Sequence, residues 1–281
     1  MLVISIVFSR RCLEYGKWHI ESPDRVKEAY EILRAAGYEF VEPDPAEEED
    51  ILRVHAREYI QRLKKGEISD IDTPAYEGMY DYARLSAGGA IEASRNDSFS
   101  LMRPPGHHAG IHGPTLGAPT LGFCYLNCIA IAVRKLAKPT LIIDIDGHHG
   151  NGTQEIFQND ESITYVSLHR HPYYPGTGMK STNNCLNYSL ESDCGEETYM
   201  KAFDNAISKA MIRDFEHIAV SAGFDAFGGD LASLGLTERT YAEIGKKIRS
   251  LEKRTFFVLE GGYSGRNIGK SVTSLLSQFQ N

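Results

Sequence analysis

The stretch over residues 140–154, TLIIDIDGHHGNGTQ, constrains what this chain can fold into more than any other part of the sequence. It opens with a continuous apolar run, which is typical of a strand buried on both faces of a parallel sheet. Asp144, Asp146 and His148 then follow at two-residue spacing. Alternation along a strand would send all three side chains to one face.

Carboxylates on a buried strand are costly unless a cation compensates their charge, and a metal ion commonly does so. The glycines of the following segment, His149-Gly150-Asn151-Gly152, let backbone and side chains crowd around a small site. A strand with a polar end and a hydrogen-bonded core histidine is the simpler alternative. Two acids and a histidine in strict alternation are hard to explain by packing, so we interpret the stretch as part of a metal site.

Apolar strand-like segments alternate with amphipathic helical segments along almost the whole chain. The predicted strands cover residues 3–8, 98–102, 164–169, 185–190, 217–221 and 255–259, together with the central strand that begins at residue 140 and carries Asp144, Asp146 and His148 in alternation. This alternation predicts a single domain over residues 1–281, with a three-layer α/β/α fold and a mostly parallel sheet of about eight strands. One of the predicted helices covers residues 46–65, and we interpret His55 on its apolar side as a structural histidine.

Charge and cysteine content exclude several classes of function. A net charge of −8 and a pI of about 5.7 argue against nucleic-acid binding, which requires a basic face. The five cysteines form no CxxC pair and are odd in number, so neither a disulfide framework nor a zinc ribbon is indicated. The apolar start is too short for a signal peptide, and no apolar run approaches the length of a membrane span. We therefore expect a soluble, cytoplasmic protein with reduced thiols.

Polar residues of catalytic type follow four of the predicted strands. His107 and His108 follow one strand, residues 144–151 end another, and Asp225 and Tyr263 follow two more. In open parallel sheets, ligands bind beyond the carboxyl ends of the strands. Each feature alone could be chance, since an aspartate can cap a helix and a tyrosine can sit in a core. All four together predict one site.

The residue types fit a catalytic metal centre. Asp146, His148 and Asp225 make a three-ligand set, the number expected of a catalytic zinc that keeps one position open. A nearby histidine can then move protons to and from the reacting groups. Asp144, one alternation before Asp146, is placed to hold a neighbouring histidine by a hydrogen bond.

Five motifs in fixed order carry a resemblance to a known family: RPPGHHA, LGFCYLN, DIDGHHGNGTQ, SAGFDA and EGGY. Together they resemble the zinc-dependent histone deacetylases and acetylpolyamine amidohydrolases over residues 103–263, with weaker support in residues 19–25 and 72–74. The resemblance implies the arginase/deacetylase fold. It also implies removal of acetyl or other acyl groups from amines on alkyl chains, either acyl-lysine or acetylpolyamine.

The resemblance assigns roles to individual residues. Asp146, His148 and Asp225 would bind Zn²⁺, with Fe²⁺ as the alternative ion. His108 would be the general base and also the acid, while His107, paired with Asp144, would be its electrostatic partner. Tyr263 would donate a hydrogen bond to the substrate carbonyl and then to the oxyanion.

Further residues would contact the substrate or a structural ion. Phe123 and Tyr174 would wall a narrow channel, the Gly122 carbonyl would accept the amide N–H, and Asp72 would orient the substrate at the rim. A structural K⁺ is implied at Asp144, Asp146, His148, Ser167 and Leu168, largely through backbone oxygens. The implied partners are a small acetylated amine or an acyl-lysine peptide or protein, and the oligomeric state stays open.

Several departures from the family pattern bear on the substrate. Asn151 stands where some relatives have aspartate, and this neutral partner raises the pKa of His108 less, so His108 can act as a base near neutral pH. Cys128 replaces a second asparagine of many members. Leu231-Ala232 replaces an Asp-Pro-type rim sequence, and Ala232 provides no acidic gatekeeper of the kind found in polyamine-selective relatives. The missing acid slightly favours acyl-lysine or a deacylase of broad specificity, and the shorter chain suggests a more open rim.

Two alternatives remain open from the sequence. A ureohydrolase of the same fold would use two metals, but that site needs a further acid at position 150, where this chain has glycine. A non-catalytic protein that binds acylated amines is the other alternative, although every catalytic position is filled.

Overall fold

The computed structural model describes residues 4–280, so the first residue of the strand predicted over 3–8 lies outside the described residues. The strands are β1 Ile6–Val7, β2 Phe40–Val41, β3 Phe99–Ser100, β4 Thr140–Asp144, β5 Ile163–Arg170, β6 Cys185–Leu190, β7 His217–Ala222 and β8 Arg254–Leu259. The α-helices are α1 Asp24–Ala35, α2 Glu48–Ile51, α3 Arg57–Lys64, α4 Met79–Asn96, α5 Cys128–Leu136, α6 Asn151–Phe157, α7 Gly195–Ala210, α8 Glu238–Arg249 and α9 Gly265–Leu276. Short 3₁₀ turns occur at Arg10–Leu13 and Ser277–Phe279.

The strands form one eight-stranded sheet in the order β2-β1-β3-β8-β7-β4-β5-β6. Every pairing between these strands is parallel. The prediction of a mostly parallel sheet of about eight strands is therefore confirmed. The short strand β2 has no counterpart among the predicted strands.

Helices cover both faces of the sheet, as the continuous apolar runs of its strands require. Leu141 and Ile143 of β4 pack into one core with α1, α7, α8 and α9, whereas Ile142 packs into the opposite core with α3, α4 and α5. Alternate side chains of β4 thus contribute to two separate apolar cores, one on each face of the sheet. The fold has three layers, helices, sheet and helices, as predicted.

The strand order explains why distant motifs meet. Strands β3, β8, β7 and β4 are neighbours in the middle of the sheet. These are the four strands whose carboxyl ends lead into the histidine pair, Tyr263, Asp225 and the segment after Asp144. Parallel pairing brings all four exits to the same edge of the sheet.

The helix predicted over residues 46–65 is wrong in its continuity. The structure has two helices, α2 and α3, separated by residues 52–56. His55 lies in this break, where its Nδ1 contacts the Gly110 carbonyl at 3.0 Å and its Nε2 accepts a hydrogen bond from the Asn127 N–H at 2.9 Å. These two bonds fix backbone near the site, and the interpretation of His55 as structural holds.

None of the helices within residues 4–280 has the length and apolarity needed to cross a lipid bilayer. The five cysteines are all free thiols, and four of them are buried.

Candidate active site

A cavity of about 230 Å³ opens at the carboxyl edge of the sheet. Its lining residues are Asp72, Pro105, His107, His108, Gly122, Phe123, Asp146, His148, Tyr173, Tyr174, Leu231, Gly261 and Tyr263. Most residues predicted from the sequence to act on substrate or metal are in this set. Asp144, Asn151 and Asp225 stand directly behind it, in contact with residues of the wall.

Asp146, His148 and Asp225 form a buried cluster at the base of the cavity. One ligand atom from each residue lies within 4.8 Å of the others. The Nδ1 atom of His148 is 3.1 Å from Asp146 Oδ1 and 2.7 Å from Asp225 Oδ2. The second contact lacks hydrogen-bond geometry, and Asp225 Oδ2 is a buried acceptor without a hydrogen-bond partner.

The electrostatics of this cluster show an excess of negative charge. Burial lowers the pKa of His148, but Asp225 and Asp146 outweigh burial and raise it to about 9. Burial and the neighbouring Asp146 raise the pKa of Asp225 to about 6. The two carboxylates thus favour a positive charge between them. A divalent cation bound by both carboxylates and by the neutral form of the imidazole would supply that charge, so this donor set fits a metal ion.

Glycines make room for the cluster. A Cβ on Gly261 would lie 2.5 Å from both Asp146 Oδ2 and Asp225 Oδ2, and a Cβ on Gly223 would lie 2.2 Å from Asp146 Oδ2. The backbone N–H of Gly261 donates to Asp146 Oδ2 at 2.7 Å, and that of Gly147 donates to Asp225 Oδ1 at 2.7 Å. The carboxylates are therefore fixed by backbone that approaches closer than any side chain would allow.

The prediction that Asp144, Asp146 and His148 share one strand face is wrong in its mechanism. Strand β4 ends at Asp144, and the two later residues lie in the loop that follows. The Asp146 N–H donates to Asp144 Oδ1 at 3.2 Å, and the His148 N–H donates to Asp146 Oδ1 at 2.8 Å. A chain of side-chain-to-backbone bonds, rather than strand alternation, positions the three residues.

His107 pairs with Asp144, as predicted from the sequence. Its Nδ1 is 3.0 Å from Asp144 Oδ2, which also accepts a hydrogen bond from the Tyr165 hydroxyl at 2.9 Å. Burial lowers the pKa of His107, but the carboxylates of Asp144 and Asp146 raise it to about 10. The two carboxylates therefore favour the protonated, cationic form of His107 beside the Asp146, His148 and Asp225 cluster.

His108 has the opposite environment. Its Nδ1 is 2.7 Å from Asn151 Oδ1, and Asn151 Nδ2 donates to the Thr115 carbonyl at 3.0 Å. Because that second bond fixes the orientation of the amide, His108 Nδ1 carries the proton and Nε2 keeps its lone pair. Burial, with His107 and His148 nearby, lowers the pKa of His108 well below its ordinary value.

Tyr263 also lines the cavity. Its N–H donates to Asp230 Oδ2 at 3.1 Å, and its ring packs between the Arg25 guanidinium at 5.3 Å and the Phe123 ring at 5.8 Å. Burial and the charge of Asp225 raise the pKa of Tyr263 well above its ordinary value, so the hydroxyl keeps its proton.

The predicted channel residues line the entrance. Phe123 and Tyr174 form part of the wall, and Asp72 also reaches the cavity. Gly122 has φ of +51°, and a Cβ there would lie 2.6 Å from the His108 ring and 2.8 Å from the Tyr174 hydroxyl. The Gly122 carbonyl accepts a weak hydrogen bond from the Cys124 thiol at 3.4 Å.

Sequence reasoning assigned no role to two residues that complete the site, Tyr173 and Glu260. The Tyr173 ring stacks on His148 at 5.4 Å, and its hydroxyl donates to the Leu231 carbonyl at 2.9 Å. The buried carboxylate of Glu260 accepts the backbone N–H groups of Gly106 at 2.7 Å and His107 at 3.0 Å. The tandem tyrosines and the acid that opens EGGY were the available signals, but neither identifies a contact.

The rim prediction at Leu231-Ala232 needs correction. Leu231 lines the cavity, whereas Ala232 is fully buried against Gly147. An acid at position 232 would not face the entrance in this chain, so its absence says less about the substrate than the sequence suggested.

The residues implied for a structural K⁺ are all buried and adjacent. Asp144 pairs with Ser167 across β4 and β5, and Leu168 follows in β5. The Ser167 hydroxyl is 2.9 Å from His169 Nδ1. Potassium binding at this position stays a prediction.

Comparisons with known proteins found similar sequences and similar folds. The sequence model of the family described as "Histone deacetylase domain" matches residues 19–279. An Archaeoglobus fulgidus protein described as "Probable deacetylase" is 40% identical, over 94% of this chain and 82% of its own length. The crystal structure of the HDA15 HD domain has a TM-score of 0.89 at 30% identity, over 99% of this chain and 91% of that one. Acetylpolyamine aminohydrolase from Burkholderia pseudomallei shares the fold, with a TM-score of 0.89 at 23% identity over 98% of both chains.

Proposed function

Because this chain belongs to the family of histone deacetylases and acetylpolyamine amidohydrolases, we propose that it hydrolyses the amide between an acyl group and an amine carried on an alkyl chain. One observation carries this proposal: the buried Asp146, His148 and Asp225 cluster shares a single cavity with His108 and Tyr263. Amide hydrolysis needs a general base, a hydrogen-bond donor for the carbonyl oxygen and a site for a cation, and all three lie around this one cavity.

One divalent ion, Zn²⁺ or Fe²⁺, would be held by Asp146, His148 and Asp225. Such an ion supplies Lewis-acid activation of water and polarisation of the amide carbonyl. The orphaned Asp225 Oδ2 and the excess negative charge of the cluster support this assignment. A structural K⁺ near Asp144 and Ser167 is proposed as a second ion without a catalytic role.

His108 is the general base in this mechanism. Its Nε2 lone pair is free because Nδ1 is engaged with Asn151. His108 takes the proton of the attacking water and later delivers a proton to the leaving amine. His107, held as a cation by Asp144 and Asp146, stabilises the negative charge that develops on the substrate.

Tyr263 donates its hydroxyl proton in a hydrogen bond to the carbonyl oxygen and then to the tetrahedral oxyanion. Its high pKa keeps this donor protonated throughout the working pH range. The Gly122 carbonyl accepts the amide N–H, and the rings of Phe123 and Tyr174 enclose the alkyl chain. Asp72 meets the carrier of the amine at the rim.

The carrier we favour is lysine in a peptide or protein rather than a polyamine. The wall of the cavity is largely aromatic and apolar, with Leu231 as well as Tyr173 and Tyr174. Two acids line the cavity, and because Asp146 belongs to the proposed metal site, Asp72 is the acid left to meet the carrier. A polycation would require more negative charge along its path.

The ureohydrolase alternative is disfavoured by the local packing. A side chain at Gly150 would place its Cβ 2.3 Å from Asp144 Oδ2, and the described residues offer one cluster of three metal-ligating side chains. Analysis of the purified protein should therefore give one catalytic ion per chain. Two such ions, with activity on guanidino substrates, would support the alternative.

A turnover screen tests the proposed function directly. The protein loaded with Zn²⁺ or Fe²⁺ is assayed for acetate release from acetyl-lysine peptides, acetylputrescine and acetylspermidine. We expect release that chelation abolishes, with peptides preferred. His108→Ala should keep the metal and lose nearly all turnover, whereas Asp225→Ala should lose metal affinity. Tight binding of acetylated ligands without any release would identify a non-catalytic binder instead.

A further inference from the structure

Three loops of the cavity entrance meet at the hydroxyl of Thr120. The Thr120 Oγ1 atom is 2.6 Å from Asp72 Oδ2, in the loop before α4, and 3.2 Å from the Tyr174 hydroxyl, in the loop after β5. The Tyr174 hydroxyl is also 3.0 Å from the Thr120 carbonyl. Thr120 itself is 7% exposed, whereas Asp72 and Tyr174 are half-buried, so the junction lies at the edge of the solvent with Thr120 on its protected side.

The protons at this junction can be assigned one by one. The Tyr174 hydroxyl donates to the Thr120 carbonyl, and the Thr120 hydroxyl donates to Asp72 Oδ2. Asp72 Oδ1 accepts from the Thr73 hydroxyl at 2.8 Å. Each hydroxyl proton is used once, and the two carboxylate oxygens of Asp72 each receive one donor.

The backbone beneath Asp72 is fixed independently of Thr120. Asp70 Oδ1 accepts the N–H groups of Asp72 at 3.1 Å and Thr73 at 2.8 Å, and Asp70 Oδ2 accepts the Leu121 N–H at 2.8 Å. The position of the loop is therefore set by Asp70. The orientation of the Asp72 carboxylate, in contrast, depends on the two threonine hydroxyls.

Each carboxylate oxygen keeps a further lone pair after these bonds, and Asp72 lines the cavity. A carboxylate that is already held in one orientation can accept an N–H from the part of the substrate outside the channel. Binding then carries little additional entropy cost for ordering that side chain. The hydroxyl of Thr120 is thus placed to affect recognition of the carrier, at a distance from the reacting amide.

We propose that Thr120 is a positioning residue for substrate selection, which holds Asp72 ready to accept the backbone N–H groups beside an acylated lysine. This inference rests on the proposed function and extends it to the carrier of the amine. It assigns Thr120 an effect on KM for peptides and none on the chemical step.

The test compares two substrates that share the acetylated alkyl amine and differ in the carrier. One is a capped glycine–acetyl-lysine–glycine tripeptide, and the other is N-pentylacetamide, which has no group that reaches Asp72. Thr120→Val removes the hydroxyl at nearly constant volume, and Thr120→Ser retains it as the matched control.

We expect Thr120→Val to lower kcat/KM for the tripeptide by roughly tenfold through KM, because a hydrogen bond to a charged group is lost. The value of kcat, and kcat/KM for N-pentylacetamide, should stay within about twofold of the starting protein, since the group is remote from the reacting atoms. Thr120→Ser should behave like the unsubstituted protein. In an Asp72→Ala background, Thr120→Val should have no further effect.

An equal loss on both substrates, or no loss on the tripeptide, would overturn the role of Thr120. Circular dichroism melting checks folding, and Thr120→Ala replaces the valine variant if that variant does not fold. Calorimetric binding of the tripeptide distinguishes a failure of the proposed hydrolysis from a failure of the positioning role of Thr120. If the unsubstituted protein binds the tripeptide but releases no acetate, the proposed hydrolysis fails, and the change in Kd on Thr120→Val decides the positioning role alone. If neither substrate binds, both proposals fail.

Discussion

Replacing Gly261 by alanine should abolish tight metal binding while leaving the fold intact. The added Cβ would lie 2.5 Å from Asp146 Oδ2 and 2.5 Å from Asp225 Oδ2, and 2.8 Å from Asp225 Cγ. Gly261 has no positive φ, so the backbone itself tolerates alanine. The perturbation therefore acts on the two carboxylates and not on the chain conformation.

The size of the effect follows from these distances. Ordinary carbon–oxygen contact begins near 3.4 Å, so each carboxylate would have to retreat by roughly 0.9 Å. Metal–ligand distances tolerate only about 0.2 Å of deviation. Two of the three proposed ligands move by several times that tolerance, so we expect metal affinity to fall by at least about 100-fold, with loss of turnover in proportion.

Zinc affinity, measured by competition with a chelating indicator, gives the primary readout. Circular dichroism melting of the metal-free protein checks that the variant folds. Gly228→Ala is the matched control, because its Cβ would have no neighbour closer than 3.6 Å and its φ is not positive. If Gly261→Ala bound zinc as tightly as the control, the placement of the ion between Asp146 and Asp225 would be wrong.

Three further predictions address proton positions and stability. Tyr263→Phe should keep its metal and its KM but lose about 100- to 1,000-fold in kcat, since the oxyanion loses a donor; unchanged acetate release would exclude that role. Asn151→Asp should shift the acid limb of the kcat/KM pH profile upward by about one unit, because a carboxylate beside Nδ1 raises the pKa of His108; an unmoved limb would mean that another group is the base. Burial lowers the pKa of His55 from 6.5 to about 4, so the unfolded chain binds the proton more readily and stability falls as the pH drops through this window. Relative to His55→Gln, the protein should lose about 2 kcal/mol of unfolding free energy between pH 7.5 and pH 5 in denaturant titrations, and parallel curves would contradict the burial of a neutral His55.

Much of the architecture could be predicted from local sequence alone. The alternation of apolar runs with amphipathic segments predicted the layers and the parallel sheet, because burial on both faces leaves a continuous apolar signature. The break at residues 52–56 could not be predicted, since the helical periodicity continues through it. The bonds of His55 to Gly110 and Asn127, far away in the sequence, stabilise that break.

In the candidate site, too, some features could be predicted from local sequence and others depend on contacts between distant segments. The residue types and their order, from His107 to Tyr263, are properties of the sequence. They sufficed to predict a metal and a base, and the family resemblance implied the oxyanion donor. The meeting of Asp225 with His148 depends on the pairing of β7 with β4, which no local pattern specifies. The supporting bonds at Asp144 and Glu260 likewise join segments distant along the chain.

By itself, the sequence determined which functional groups are present and that they follow the strands of a mostly parallel sheet, because periodicity and residue type are local properties. Only the tertiary structure decided that Asp146, His148 and Asp225 lie within 4.8 Å of one another, which nitrogen of His108 is free, and that Thr120 joins three loops. These outcomes depend on distances of a few ångströms between atoms far apart in the chain. Strand order and close backbone approach set such distances, and neither can be predicted from a single segment of the sequence.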